Sequence, residues 1–78
     1  MNNHNQFISL REASNYLRYE LYRENEVYIQ DMNLITYVDM NLERIGVIEQ
    51  NTRNNVINMI LSGITKDNLI LTINNNIR

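Results

Sequence analysis

Cysteine, tryptophan and proline are missing from this 78-residue chain, alanine and histidine occur once each, and there are two glycines. Each scarcity removes a class of chemistry. Without cysteine there is no disulfide and no thiolate nucleophile, and the absence agrees with a reducing compartment. His4, the one imidazole, stands in a polar amino terminus ahead of the first expected element, so neither a zinc site nor a histidine-activated nucleophile has its parts. Gly46 and Gly63 are too far apart for a glycine-rich phosphate loop, and Asp31 to Leu42 has neither the ligand spacing nor the glycine of a calcium loop. Glu20 and Glu24 fall one helical turn apart, as paired catalytic carboxylates can, but their interleaving with arginine reads as a solvated helix face. The expectation is a protein that is not an enzyme, with no catalytic residues, no cofactor and no metal.

Charge and long apolar runs are scarce too. A formal charge of -2 with 21% charged residues gives no bulk attraction for phosphate backbones or anionic lipid, and no acidic mimicry of DNA. No stretch approaches the roughly 18 apolar residues that a membrane span needs. The opening Met1-Asn2-Asn3-His4-Asn5-Gln6 lacks the basic region and apolar stretch of a signal peptide. These features lead us to expect a cytoplasmic protein without a membrane partner.

What the chain has instead is asparagine, fifteen residues of 78, together with eleven isoleucines. Asparagine supplies hydrogen bonds, caps and turns but no nucleophile and little proton affinity. An AT-rich genome favours both residues through its codons, so much of the excess needs no physical purpose. Many of the asparagines fall where elements are expected to begin, turn or fray, at Asn25, Asn33, Asn51, Asn68 and Asn74 to Asn76.

Length makes the chain one domain, residues 1–78, with 1–6 and 74–78 expected to be flexible. Ile, Leu, Val and Phe account for 24 of the 78 residues, above the level of about 20% below which chains tend to disorder. A core of this size contributes only about 3–5 kcal/mol net of chain entropy. With disulfides and metals excluded, self-association is the remaining common supplement, and a homodimer is expected.

The pattern along the chain is mainly α. Ser9 followed by Glu12 is a capping box, and Leu10, Ala13, Leu17 and Leu21 share one face, so a first helix is expected over about 10–24. A second is expected over about 34–45, with Ile35, Val38, Leu42 and Ile45 on one face, Asp31 as cap and Gly46 as stop. A third is expected over about 52–63, capped by Asn51 or Thr52, with Val56, Ile57, Ile60, Leu61 and Ile64 at helical spacing and a stop near Gly63. Leu69 to Ile73 is a short apolar run whose β-branching leans towards a C-terminal strand, and pairing of that strand between copies would place Leu69, Leu71 and Ile73 in the self-association surface. The alternative architecture is α+β, with a hairpin over 26–38 formed by Glu26 to Gln30 and Leu34 to Val38 around the turn Asp31-Met32-Asn33.

Beside the apolar face of the first helix, Tyr16, Tyr19 and Tyr22 wind as a stripe interleaved with Arg11, Arg18 and Arg23. Tyrosine commonly edges a core with its hydroxyl in water, and tyrosine and arginine are also enriched where proteins meet partners. These six residues are the candidate partner-binding site. The segment from Phe7 to Leu17, with its hydroxyl cap at Ser9, Glu12-Ala13 and Tyr16-Leu17, also resembles the opening helix of excisionase-type and MerR-like winged helix-turn-helix domains. In those families a tight turn and a recognition helix follow directly, whereas here Arg18 to Arg23 continues the helical pattern. A second helix-turn-helix candidate centres on Gly63, with Val56 to Ser62 before it and Thr65 to Ile73 after it. Its second segment has Lys66 as sole cation, with Asn68, Asn74 and Asn75 as possible readers of adenine. The leading expectation is therefore a small regulatory or inhibitory protein that acts by binding another protein, of the kind common in phages and mobile elements. The alternative is a dimeric DNA-binding regulator of helix-turn-helix type.

Overall fold

A computed structural model describes residues 6–21 and 33–77. They form four helices: α1 (Leu10–Leu21), α2 (Leu34–Ile45), α3 (Gln50–Ser62) and α4 (Lys66–Asn76). The class is mainly α, and among the described residues there is no strand, only an isolated antiparallel bridge between Phe7 and Thr65.

Local chemistry accounts for where the helices begin and end. At the start of α1, the Ser9 amide donates to Glu12 Oε1 at 3.0 Å and the Glu12 amide donates to Ser9 Oγ at 3.0 Å, which is the reciprocal capping box. Asn33, not Asp31, caps α2, accepting the Ile35 amide on Oδ1 at 2.8 Å; Asp31 lies outside the described residues. At the other end, Gly46 takes φ 122°, a value that disfavours any side chain, and its amide closes back on Leu42 and Glu43.

The structure corrects three expectations. Leu34 to Val38 are helical, which removes the second strand of the hairpin reading; residues 26–32 lie outside the described residues. The third helix starts at Gln50 rather than 52, with Glu49 at the cap and Asn51 and Thr52 inside the first turn. Gln50 is drawn into the helix because its side chain bonds Arg53, Asp39 and Asn54. The expected strand 69–73 is the middle of α4. Thr65 accepts the Asn68 amide at 3.2 Å and caps that helix, and burial follows a helical step: Leu69 and Ile73 are buried, whereas Leu71 between them is 57% exposed. In a strand, residues 69, 71 and 73 would share one face.

The core is built from Ala13 and Leu17 of α1, Val38 and Leu42 of α2, Val56, Ile57 and Ile60 of α3, Leu69 and Ile73 of α4, and the flanking Ile8 and Val47. The closest helix pair is α1 with α2. A buried arginine ties α2 to α3. Arg53 donates from Nε to Asp39 Oδ1 at 2.9 Å, from Nη1 to the carbonyls of Val47 at 3.0 Å and Ile48 at 2.6 Å, and from Nη2 to Gln50 Oε1 at 2.8 Å. A planar five-donor fork can serve this many acceptors at once, and a lysine cannot.

Two outcomes follow for stability. Leu69→Ala should cost about 2–5 kcal/mol and Leu71→Ala less than about 0.5 kcal/mol in urea unfolding, whereas comparable losses at both positions would favour the strand. Arg53→Ala should cost about 2–4 kcal/mol by stranding two carbonyls and a carboxylate, enough to leave much of the chain unfolded, and Arg53→Lys should restore little of the helical circular dichroism.

Candidate functional site

The outer side of α1 is polar and aromatic. Asn15, Tyr16 and Tyr19 stand three, four and seven positions after Glu12 and so share a face with it, turned from the side that buries Ala13 and Leu17. Ahead of the helix the chain is extended. Ile8 enters the core, and its amide donates to the Ile64 carbonyl at 2.8 Å. Because side chains alternate along an extended segment, burying Ile8 turns Phe7 outward. The Phe7 ring lies over Gly63, where a Cβ would come within 3.3 Å of the ring. From the first turn of α4, Lys66 places Nζ 4.9 Å from the centre of the Tyr16 ring, within cation–π range.

These pieces enclose an open groove of about 770 Å³ lined by Gln6, Phe7 and Ile8, by Glu12, Asn15, Tyr16, Arg18 and Tyr19, and by Lys66. Phe7 at 69% and Tyr19 at 68% are the two most exposed large apolar side chains among the described residues, and both are in it. The groove also holds the only phenylalanine and the only lysine of the sequence. Its carboxylate, Glu12, is engaged in the capping box. Arg18 and Lys66 are the cations of its lining.

Of the six residues in the expected tyrosine and arginine stripe, the structure brings Tyr16, Arg18 and Tyr19 into this groove. Arg11 is an exposed residue of α1 that does not line it, and Tyr22 and Arg23 lie outside the described residues. Phe7 and Lys66 were not foreseen. Lys66 joins α1 only through the fold, but Phe7 carried a signal: an apolar residue two places before a hydroxyl cap, next to one that staples the helix, is left facing solvent. Of the expected self-association residues, Leu69 and Ile73 fill the core of their own chain and Leu71 alone is exposed, so pairing through a shared strand has no strand to use.

Gly63, the centre of the helix-turn-helix alternative, lies between α3 and α4, which residues 63–65 join. Among the described residues, no three of His, Cys, Asp and Glu gather as a metal site, and no helix is long and apolar enough to cross a membrane. The chain matches no described protein family, no curated protein and no solved structure.

Gly63 is the hinge on which Phe7 rests, with φ 113° and ψ 106°, a conformation for glycine alone. Gly63→Ala should cost about 1–3 kcal/mol in urea unfolding and shift the Phe7 ring proton resonances, and unchanged ring resonances would show that Phe7 does not pack there.

Proposed function

We propose that this chain is a small regulatory or inhibitory protein without enzymatic activity, which acts by binding another protein through the groove between α1, residues 6–8 and Lys66. The observation that carries this reading is the convergence of Phe7, Tyr16 and Tyr19 with Arg18 and Lys66. Aromatic rings with apolar bodies and polar tips, edged by cations, are the side chains that dominate binding energy when partners exclude water from them. A monomer gains nothing from leaving its two most exposed large apolar side chains, among the described residues, on one groove. The arrangement favours recognition over reaction, since the groove offers no nucleophile beside a base and its carboxylate is committed to a helix cap.

The helix, three-residue link and helix around Gly63 support a second reading, a DNA-binding regulator. It is weaker on charge. Among the exposed residues of α4, Lys66 is the one cation and Asp67 stands beside it, so phosphate attraction is close to cancelled.

Co-purification from the native host tests the first reading. Tyr19→Ala should leave the unfolding midpoint nearly unchanged, within about 0.5 kcal/mol, and weaken partner capture by about tenfold or more, with Leu71→Ala binding as the parent does. Equal capture by both variants would remove the groove from the interface. A gel shift on DNA from the host that collapses with rising salt would favour the second reading.

A further inference from the structure

The groove carries opposite charges that do not meet within the chain. Glu12 and Lys66 are both exposed and both line it, yet neither belongs to an ion pair among the described residues. Glu12 Oε1 accepts the Ser9 amide, which leaves the carboxylate its charge, and Lys66 lies over the Tyr16 ring. Arg18, the other cation of the lining, already has a partner. Beside these charges stand the exposed Phe7 and Tyr19 rings. A strongly acidic or strongly basic segment laid here would meet either Glu12 or Lys66 as a like charge. A surface with one unpaired charge of each sign and two exposed rings is instead complementary to itself. A two-fold contact requires this, because the same patch serves on both copies and each group must find its complement on the other.

Resting on the reading that this groove is the protein's binding face, we propose that until another protein is captured the groove is closed by the same groove of a second copy. Glu12 of each copy faces Lys66 of the other, and the Phe7 and Tyr19 rings of the two copies cover one another. The size of the chain points the same way. Eleven apolar side chains form the buried core among the described residues, there is no cysteine for a disulfide, and domains this small commonly make up the balance by oligomerising. The strand that pairing between copies would have used is a helix, whereas the groove needs no change of secondary structure to serve. Self-association and capture then compete for one surface, and the monomer is the form that binds another protein.

Sedimentation equilibrium of the full chain tests this. The expected result is a reversible dimer at about 100 μM chain, whose dissociation constant rises about tenfold or more with Tyr19→Ala and with Lys66→Glu and stays at the parent value with Leu71→Ala. Glutamate suits the first turn of α4, so Lys66→Glu should keep the parent circular dichroism and urea midpoint. Adding Glu12→Gln, which keeps the capping box, should recover most of the dimer that Lys66→Glu loses, because it removes the two like-charge contacts. A monomer at that concentration, a larger assembly, a dimer indifferent to Tyr19→Ala or Lys66→Glu, no rescue by Glu12→Gln, or a dimer that persists in the complex with the host partner would overturn the proposal. The two readings fail separately. If the chain is a monomer and Tyr19→Ala abolishes capture of the host partner, the groove stands as the protein-binding site and its closure by a second copy falls. If Tyr19→Ala breaks the dimer and leaves capture unchanged, the two-fold contact stands and the protein-binding site falls.

Discussion

The Arg53 guanidinium lies between α2 and α3, and its donors reach four acceptors at once: the Val47 and Ile48 carbonyls, the Asp39 carboxylate and the Gln50 amide oxygen. Val47 belongs to the core, so its carbonyl is carried inward with its side chain and needs a donor there. Glu49 makes no side-chain cap, and from α3 Arg53 and Gln50 reach back to the connection and to α2. A buried ion pair is often no better than an apolar replacement for stability. Here the pair does something an apolar residue cannot, since it gives the connecting loop a fixed path and the two helices a fixed register.

The groove depends on that register through a closed chain of contacts. α1 packs on α2, α2 is tied to α3 by Arg53, α3 leads through Gly63 to α4, and Ile8 returns from Ile64 to the start of α1. One wall of the groove rides on α1. The opposing Lys66 rides on α4, and Phe7 rides on Gly63. Any slackening between α2 and α3 would separate these walls. Residues 6–8 close the ring, and of these only Gln6 belongs to the stretch 1–6 expected to be flexible.

Much of this was legible. Ser9 and Glu12, the apolar period of α1 and the stop at Gly46 are local signals, and local signals survive into the structure. α4 was not legible as a helix because Leu69 to Ile73 is a short apolar run, whose composition is that of a buried strand; the deciding information was the cap at Thr65 and the exposure of Leu71, and only the cap is in the sequence. Arg53 was hidden for a different reason. Its setting of glutamine, threonine and asparagine reads as surface, and its carboxylate partner stands fourteen residues away on another helix. Of the four described residues of the tyrosine and arginine stripe, Tyr16, Arg18 and Tyr19 line the groove and Arg11 does not, since helical spacing says which side chains are neighbours on α1 but not which element will face them.

The asparagine excess takes a different meaning once the side chains are placed. Asn41 and Asn76 donate to carbonyls one turn back in their own helices, and Asn33 accepts from its own first turn, so these residues satisfy their helices locally. Among the described asparagines, Asn15 alone lines the groove. Codon bias towards A and T accounts for asparagine and isoleucine, but it should raise lysine and phenylalanine equally, and the chain has one of each. A drift in composition would scatter such single residues without regard to one another. Both instead meet on the same groove, Lys66 over the Tyr16 ring and Phe7 over Gly63, from ends of the chain that only the folded bundle brings together. Convergence of that kind is a property of a surface rather than of a composition, and it is the reason to read this groove as the working face of the protein.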